Sequence, residues 1–390
     1  MQSRIRTIDA GRGTAMIFVF LAHFLEYYLT SNSMVSQFWI IWMVIKIASP
    51  TFMLISGITL GYLFSLKKDN FSSIKRKFID KGMFLILIAH IVILLTWLPF
   101  LGSFAHGSLR VLFITDTIGI CLIAGPFLVR LLSPSTRIMA AILIYGVSWL
   151  FVTQGNFENI FLEAITETFF GNGPSFYFDC FPVFPWLSIY FVGTVIGERV
   201  HFYNHRGIKG GISKLFFKLG VASLFISLII KILFHFLKSS DSLFRSDSIE
   251  RFLNFSQKNP PGLLYFLIYG GAGLVILAIL DKLIELKLFN KIIQNLEIIG
   301  KTSLFAFVIQ YFMYFSVMVW INPSYSVVWP LLFFFTAFLN FGAIYFWYKR
   351  GFNKYITVLD ISILRRSKIE SKAEVVEMNN SKGELVGQNH

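Results

Sequence analysis

The sequence predicts an all-α, polytopic integral membrane protein with about ten membrane-spanning helices. Of the 390 residues, 55% are hydrophobic and only 14% are charged, and the mean hydropathy is +0.67. The apolar residues fall in runs of about 20, the length that crosses roughly 30 Å of hydrocarbon. The 35 Lys and Arg residues cluster between these runs, so they cannot form the charged surface that a soluble protein of this size needs.

Ten apolar runs are long enough, or nearly long enough, to cross a bilayer. They are residues 13–30, 38–66, 82–101, 109–132, 138–153, 181–198, 215–237, 262–281, 302–321 and 326–348. The second run is long enough to be two elements or one tilted helix broken around Pro50. The fifth run is short, so the predicted number of spans is ten, plus or minus about one.

The charges between the runs predict the topology. With ten spans, 28 of the 35 cations fall on one side and five on the other, while Lys46 and Lys231 lie inside apolar runs. Cytoplasmic loops collect Lys and Arg, so both termini are expected in the cytoplasm. The net charge of +14 is therefore interpreted as an orientation signal next to a lipid bilayer, and no nucleic-acid partner is expected.

The chain divides into two parts. Residues 1–350 are expected to form the membrane domain, and residues 351–390 a polar cytoplasmic tail that cannot bury enough apolar surface to fold alone. No small-x-small cleavage site follows the first apolar run, so we interpret that run as a span rather than a signal peptide.

The first span carries the largest set of ionisable residues. Asp9 and Arg12 lie at its inner mouth, His23 lies deep in the span, and Glu26 follows one turn later. Each such group costs at least about 2.5 to 3.5 kcal/mol in a bilayer, so those that remain are functional candidates. Arg12 and His23 are 11 residues apart, which places them on one stripe of the helix, about 16 Å apart along its axis.

These residues carry a resemblance to a known family. Arg12 and His23, with ten residues between them in the pattern R-x-x-D-x-x-R-G-x-A, resemble the first-helix signature of the transmembrane acyltransferases. Four further segments are similar to the heparan-α-glucosaminide N-acetyltransferase branch and its bacterial relatives. They are ASPTFMLISGITLG (48–61), FDCFPVFPWLSIYFVGTVIGE (178–198), SQKNPPGLLYFL (256–267) and IGKTSLFAFVIQYF (299–312).

The resemblance implies an enzyme of the bacterial cytoplasmic membrane that moves an acetyl or other acyl group from cytoplasmic acyl-CoA to a glycan or glycolipid. The acceptor would be a sugar hydroxyl or amine at the outer face. Arg12, with Asp9 beside it, would bind a CoA phosphate. His23 would act either as a general base or as a nucleophile that is transiently acylated. Glu26 would orient or stabilise the imidazolium; this role is inferred from its position three residues further along the same helix face, and not from the resemblance. This hypothesis requires an open passage from Arg12 to His23.

Four residues are candidates for binding the acceptor, each with an alternative structural role. Asp116 contacts the acceptor or pairs with Lys46. Asp179 accepts hydrogen bonds from sugar hydroxyls or caps the sixth span. Trp186 stacks on a sugar or belongs to the interfacial aromatic belt. Lys258 holds an anionic sugar or a lipid phosphate.

Other features narrow the chemistry. Ser56 and Gly57 are interpreted first as small residues that let two helices approach closely. Gln310 stands where many relatives carry a histidine in the penultimate span. No sequence motif for a metal, redox or nucleotide-hydrolysing site is present, so no metal cofactor is expected. A transporter or flippase for a sugar or lipid-linked sugar is the alternative function, and a non-catalytic scaffold is a third. The sequence leaves the acceptor, the acyl chain and the oligomeric state open.

Overall fold

The computed structural model of the chain describes residues 5–28, 39–101, 110–154, 159–171, 177, 179–240, 247–314 and 329–359. The first half forms α1 (Arg6–Tyr28), α2 (Trp39–Ile45), α3 (Ala48–Leu66), α4 (Phe71–Met83), α5 (His90–Leu101), α6 (Ile114–Leu131) and α7 (Pro134–Gln154). A π-helical segment, Phe84–Ala89, joins α4 to α5. The all-α polytopic fold class is confirmed.

The second half contains α8 (Ile160–Phe169), α9 (Val183–His205), α10 (Gly211–Ser240), α11 (Asp247–Phe252), α12 (Leu263–Tyr265), α13 (Gly271–Glu285), α14 (Asn290–Lys301), α15 (Ser303–Phe312) and α16 (Trp329–Lys349). A second π-helical segment, Phe266–Gly270, joins α12 to α13. Two short strands, β1 (Val111–Leu112) and β2 (Asp179–Cys180), pair in parallel, with Val111 opposite Asp179.

Eight helical stretches of the described residues are long and apolar enough to cross a membrane, or nine if α14 and α15 count as one bent span. The bend between α14 and α15 is 79°. The sequence predicts about ten spans. The eight do not include α9, a 23-residue helix that matches the predicted sixth span and is largely buried.

The long second run is two helices, as one of the sequence interpretations allows, but the break does not fall at Pro50. It is a turn at Lys46 and Ile47, and Pro50 lies in the first turn of α3. Proline is tolerated there because the first N–H groups of a helix have no partner within it.

Helices α3 and α9 pack with their backbones in contact. A Cβ added to Gly57 would lie 2.1 Å from the carbonyl oxygen of Tyr190, and one added to Gly61 would lie 1.9 Å from that of Thr194. Gly197 on α9 faces α3 in the same way, since its Cβ would lie 2.2 Å from a backbone oxygen. The interpretation of this segment as a close helix contact is confirmed.

The first helix is equally close to α14. A Cβ on Gly13 would lie 2.0 Å from the backbone oxygen of Leu296, and one on Gly300 would lie 1.8 Å from that of Asp9. An ion pair adds to this contact, because Arg6 Nε lies 2.6 Å from Glu297 Oε1. The helix that carries Arg12 and His23 is therefore fixed against its neighbour.

One cation of the predicted loops is part of the core. Arg137 lies in the first turn of α7 and is 1% exposed. It donates from Nη1 to Thr194 Oγ1 at 2.8 Å and pairs through Nη2 with Glu198. Its role is to join α7 to α9, which the count of loop charges does not reveal.

The segment after α16 folds back onto the spans. The backbone N–H groups of Val358 and Leu359 donate to Asp80 Oδ1, at 2.7 and 2.6 Å. Asn353 Nδ2 donates to the carbonyl oxygen of Lys301 at 3.2 Å. Residues 351–359 therefore belong to the membrane domain rather than to the predicted tail. The rest of that tail, residues 360–390, lies outside the described residues.

Candidate active site

A cleft of about 470 Å³ opens at one end of the helix bundle. We call this end the basic face, because five cations from separate parts of the chain line the cleft: Arg12, Lys67, Lys77, Lys81 and Lys301. Asp9 lines it as well. The charge pattern assigns all five cations to the cytoplasmic side, and the structure brings them together as that assignment requires.

Arg12 is held in place from two sides. Its Nη2 donates to Thr59 Oγ1 at 2.8 Å, and its Nη1 lies 3.8 Å from Asp9 Oδ1. Thr59 in turn donates to the backbone oxygen of Ile55 at 2.7 Å. The guanidinium group therefore faces the cleft in a fixed orientation, which suits a bidentate donor to an anion.

The cleft does not reach His23. Thr59, beside Arg12, and Phe52 both lie on α3 and line the cleft. These two residues are about 10 Å apart along the helix axis. His23 lies about 16 Å from Arg12 on α1 and does not line the cleft. Met16 and Phe20, both buried, lie between them on α1. The expected passage is thus open over roughly two-thirds of its length and closed over the last turn.

His23 lies among aromatic side chains. Its ring centroid is 4.9 Å from that of Tyr311 and 6.2 Å from that of Tyr314. The Tyr314 hydroxyl donates to the backbone oxygen of Phe20 at 3.2 Å. His23 Nδ1 is buried and has no hydrogen-bond partner among the described residues, an arrangement that is rare for a purely structural group. The side chain of Glu26 lies outside the described residues.

A second histidine, which the sequence analysis missed, is paired with Asp116. His90 Nδ1 lies 2.8 Å from Asp116 Oδ2. The same oxygen accepts the backbone N–H of Phe113 at 2.8 Å, so Asp116 also closes the first turn of α6. The predicted alternative of a Lys46–Asp116 pair is wrong, because Lys46 Nζ instead donates to Ser256 Oγ at 3.0 Å.

Two aromatic rings link the His90–Asp116 pair to His23. Ile118 lines the cleft, and Asp116 lies two residues further along α6, about 3 Å closer to the opposite face. The Phe113 ring packs 5.4 Å from His90 and 6.1 Å from Tyr311, and Tyr311 packs against His23. His23 is a functional candidate because it is an ionisable residue inside an apolar run. His90 has the same property, so the sequence could have identified it in the same way.

Lys258 lies near the same place. It is an exposed residue whose charge acts at longer range on both His23 and Lys46. The structure therefore brings three sequence candidates, His23, Asp116 and Lys258, to one region of the bundle. Arg12 and Asp9 lie at the other end of the path, in the basic cleft.

Trp186 does not take the place predicted for it, and one of the two roles predicted for Asp179 is wrong. Trp186 is completely buried, and its ring packs 5.2 Å from Phe266 and 6.0 Å from Phe181. No face of the indole is left for a sugar, and the residue does not belong to an interfacial belt. The residue that caps α9 is Pro182, so Asp179 is not the cap. The Asp179 side chain lies outside the described residues.

Gln310 is a buried polar residue of α15, in the predicted penultimate span. It is 0% exposed, and neither atom of its side-chain amide has a hydrogen-bond partner in the described part of the chain. It precedes Tyr311, the aromatic neighbour of His23. Within the same ranges, no group of three or more His, Cys, Asp or Glu side chains is placed to hold a metal ion.

Helix α1 of this polytopic bundle carries both Arg12, which lines the basic cleft, and His23, whose Nδ1 is buried. The family described as heparan-alpha-glucosaminide N-acetyltransferase, catalytic, matches residues 4–232. This is more than half of the chain, so the chain belongs to that family and is in general terms a membrane acetyltransferase. No curated protein and no solved structure matches it significantly. The matched range contains Arg12, His23, His90 and Asp116, whereas Lys258 and Gln310 lie beyond it.

Proposed function

We propose that the protein transfers an acetyl group from acetyl-CoA, bound in the basic cleft, to a sugar hydroxyl or amine at the opposite face. His23 is the catalytic residue in this proposal. The observation that carries it is the placement of Arg12 and His23 on one fixed helix. Arg12 lines the cleft, and the buried Nδ1 of His23 has no hydrogen-bond partner in the described part of the chain.

The cleft suits the donor. Coenzyme A carries several phosphates, and five cations line this opening. Its deeper walls are apolar, with Phe52, Ile118 and Leu122, which fits the less polar pantetheine arm. Arg12 would donate to a phosphate as a fork of two N–H groups, while the lysines act as point charges. The thioester then points along α1 toward His23.

His23 has two chemically complete routes. In the first, the imidazole takes a proton from the acceptor, whose oxygen or nitrogen attacks the thioester carbon, and the C–S bond breaks. In the second, the imidazole itself attacks the thioester and releases the thiolate, and the acceptor then removes the acetyl group from the ring. Both routes require the thioester to pass Met16 and Phe20. The side chains that close the last turn of the path, next to His23, must therefore move during the reaction.

The site supports an acceptor that approaches from the face opposite the cleft. Lys258 follows α11 in the chain, in a segment that the charge pattern assigns to the outer side. The proposed location is the bacterial cytoplasmic membrane. An acceptor that is a glycan or a glycolipid would reach His23 from outside, while the donor stays inside.

The test uses the purified full-length protein in proteoliposomes with radiolabelled acetyl-CoA and a panel of sugars. His23→Ala is expected to abolish transfer. His235→Ala is the matched control, because His235 is an exposed histidine on α10. Unchanged transfer by the H23A variant contradicts the assignment of His23. Sugar uptake into vesicles without any acyl transfer or CoA binding favours the transporter instead.

A further inference from the structure

We propose that a pocket beside α10 binds the phosphate headgroup of a membrane phospholipid. The pocket has a volume of about 500 Å³ and lies between α10 and the chain from Glu250 to Leu264. Two cations line it, Lys231 of α10 and Arg251 of α11. This inference is independent of the proposed acetyl transfer, because it uses neither the basic cleft nor His23.

The pocket lies at the end of the bundle opposite the basic face. Helix α10 starts at the basic face, because a Cβ added to Gly210 would lie 3.9 Å from Glu285 Oε2 at the end of α13. One turn before Glu285, Asp281 accepts a hydrogen bond at 2.6 Å from Thr7 Oγ1, at the basic-face end of α1. Lys231 follows Gly210 by 21 residues, or about 30 Å along α10. A hydrocarbon core is about 30 Å thick, so Lys231 lies near the headgroups of the opposite leaflet.

This part of α10 faces the lipid. Only 11% of the apolar window of the helix is buried, and Ile232, Leu233 and Phe236 are all exposed. Lys231 is exposed on the same stretch. A charged group beside hydrocarbon is costly unless it reaches polar groups at the membrane surface. Phospholipid phosphates are the anions of that surface, so the position of Lys231 favours a lipid as the ligand.

Lys231 and Arg251 converge on the pocket from two separate elements. Lys231 Nζ lies 5.2 Å from the ring centroid of Phe255, so the ammonium group extends toward the segment that carries Arg251. Arg251 lies in the last turn of α11. An arginine and a lysine together suit a phosphate, because one supplies a fork of N–H groups and the other a point charge. Glu250 also lines the pocket, which leaves a net charge opposite to the single negative charge of a phosphodiester.

The walls of the pocket suit the part of a lipid next to its phosphate. Phe234, Leu253 and Leu264 contribute apolar surface. The volume of about 500 Å³ falls in the range of sites for organic ligands and is larger than an isolated phosphate needs. The pocket therefore accommodates a headgroup with its glycerol, while the acyl chains lie along the exposed face of α10.

The segment that carries Arg251 is held against the bundle. The ring of Phe252 packs 5.1 Å from that of Trp149 and 6.0 Å from that of Tyr145, both on α7. The backbone N–H of Asn254 donates to the Arg251 oxygen at 3.2 Å. One side of the pocket is thus fixed before a ligand arrives, which lowers the entropic cost of binding.

The experiment uses the purified full-length protein in detergent with two photoreactive lipids, a phosphatidylglycerol and a diacylglycerol. Both have the same acyl chains and carry a diazirine close to the glycerol. After illumination, mass spectrometry of proteolytic peptides locates the label. In the wild-type protein, we expect phosphatidylglycerol to label the peptides that contain Phe234, Phe255 or Leu264 about tenfold or more strongly than diacylglycerol does. Lys231→Gln and Arg251→Gln should each reduce this preference, and the double variant should abolish it.

Lys218→Gln is the matched control, because Lys218 is an exposed lysine on α10 outside the pocket, and it should be labelled as the wild-type protein is. Lys231→Arg, which keeps the charge, should retain most of the preference. If the double variant does not fold, the ratio between the two lipids in the single variants decides in the same way.

Three results overturn the inference: equal labelling of these peptides by both lipids, no labelling by either, or a preference that survives the loss of the cations. Excess inorganic phosphate distinguishes the two sources of a phosphate group. It should leave labelling by phosphatidylglycerol unchanged, whereas its displacement of the lipid would show a site for small anions and would also contradict the proposal.

Discussion

His90 and Asp116, 26 residues apart in the sequence, form a 2.8 Å hydrogen bond that joins α5 to α6, two residues from Ile118 in the wall of the basic cleft. In a neutral imidazole that donates from Nδ1, the Nε2 atom carries the lone pair, so the carboxylate selects the tautomer. Phe113 and Tyr311 lie between His90 and His23 as a series of ring contacts. It resembles a catalytic dyad in form, with a carboxylate that orients an imidazole.

Asp116→Asn is expected to lower kcat by about 10- to 100-fold, since general acid–base groups contribute factors of at least this size. Its amide cannot supply the charge that fixes the His90 tautomer. Steady-state acetyl transfer with a fixed acceptor measures the effect. Glu285→Gln is the control, since Glu285 is a carboxylate in an exposed ion pair with Lys282. Full activity of both Asp116→Asn and His90→Gln would show that the pair is only structural.

Arg12→Lys is expected to raise the KM for acetyl-CoA by roughly tenfold and to change kcat less. The lysine keeps the charge but loses the planar fork that Thr59 and Asp9 hold in position. Arg76→Gln, an exposed cation on α4, should behave as the wild-type protein. If the KM for acetyl-CoA is unchanged in both Arg12→Lys and Arg12→Gln, Arg12 is not part of the donor site.

Gly61→Ala is expected to destabilise the fold by about 1 to 3 kcal/mol, the usual cost of inserting a methyl group where no space exists. The new Cβ would lie 1.9 Å from the carbonyl oxygen of Thr194, so α3 and α9 must separate. Thermal unfolding in detergent measures the loss. Gly342→Ala on α16 is the control, because a Cβ there has nothing within 4 Å. Equal melting temperatures would contradict the close packing.

Asp80→Ala is expected to release the segment that follows α16, because its Oδ1 accepts the N–H groups of both Val358 and Leu359. Limited trypsinolysis in detergent should then cleave faster at Lys354. Asp80→Asn keeps an oxygen acceptor at this place and should protect the segment nearly as well as the wild-type residue. Since Asn353 and Ile356 line the cleft, Asp80→Ala should also weaken binding of acetyl-CoA. Equal cleavage rates in all three proteins would refute the role of Asp80.

Apolar run length predicts most of the fold but not which face of a helix is buried. In a membrane both lipid and protein core are apolar, so hydrophobicity does not separate them. Phe338 is 75% exposed whereas Phe191 is 1% exposed, although both lie in runs of similar composition. For the same reason, the complete burial of Trp186 could not be deduced from its sequence context.

The candidate site was predictable where one helix carries the whole pattern. Helical spacing alone places Arg12 and His23 on one stripe, and the charge distribution places the basic face. Contacts between distant segments could not be obtained this way. The His90–Asp116 pair and the contact between Lys46 and Ser256 depend on how separate helices and loops pack, which no local pattern encodes.

Helix α1 contacts α14 backbone against backbone at Gly13 and Gly300. This contact holds α1 in a fixed position in the bundle. The helix itself sets the distance from Arg12 to His23, and the contact keeps α1 in place, because neither helix can slide without a clash at Leu296 or Asp9. In the proposed reaction the donor must match that length. The side chains of Met16 and Phe20 then move aside for the thioester, while the backbone of α1 stays in place.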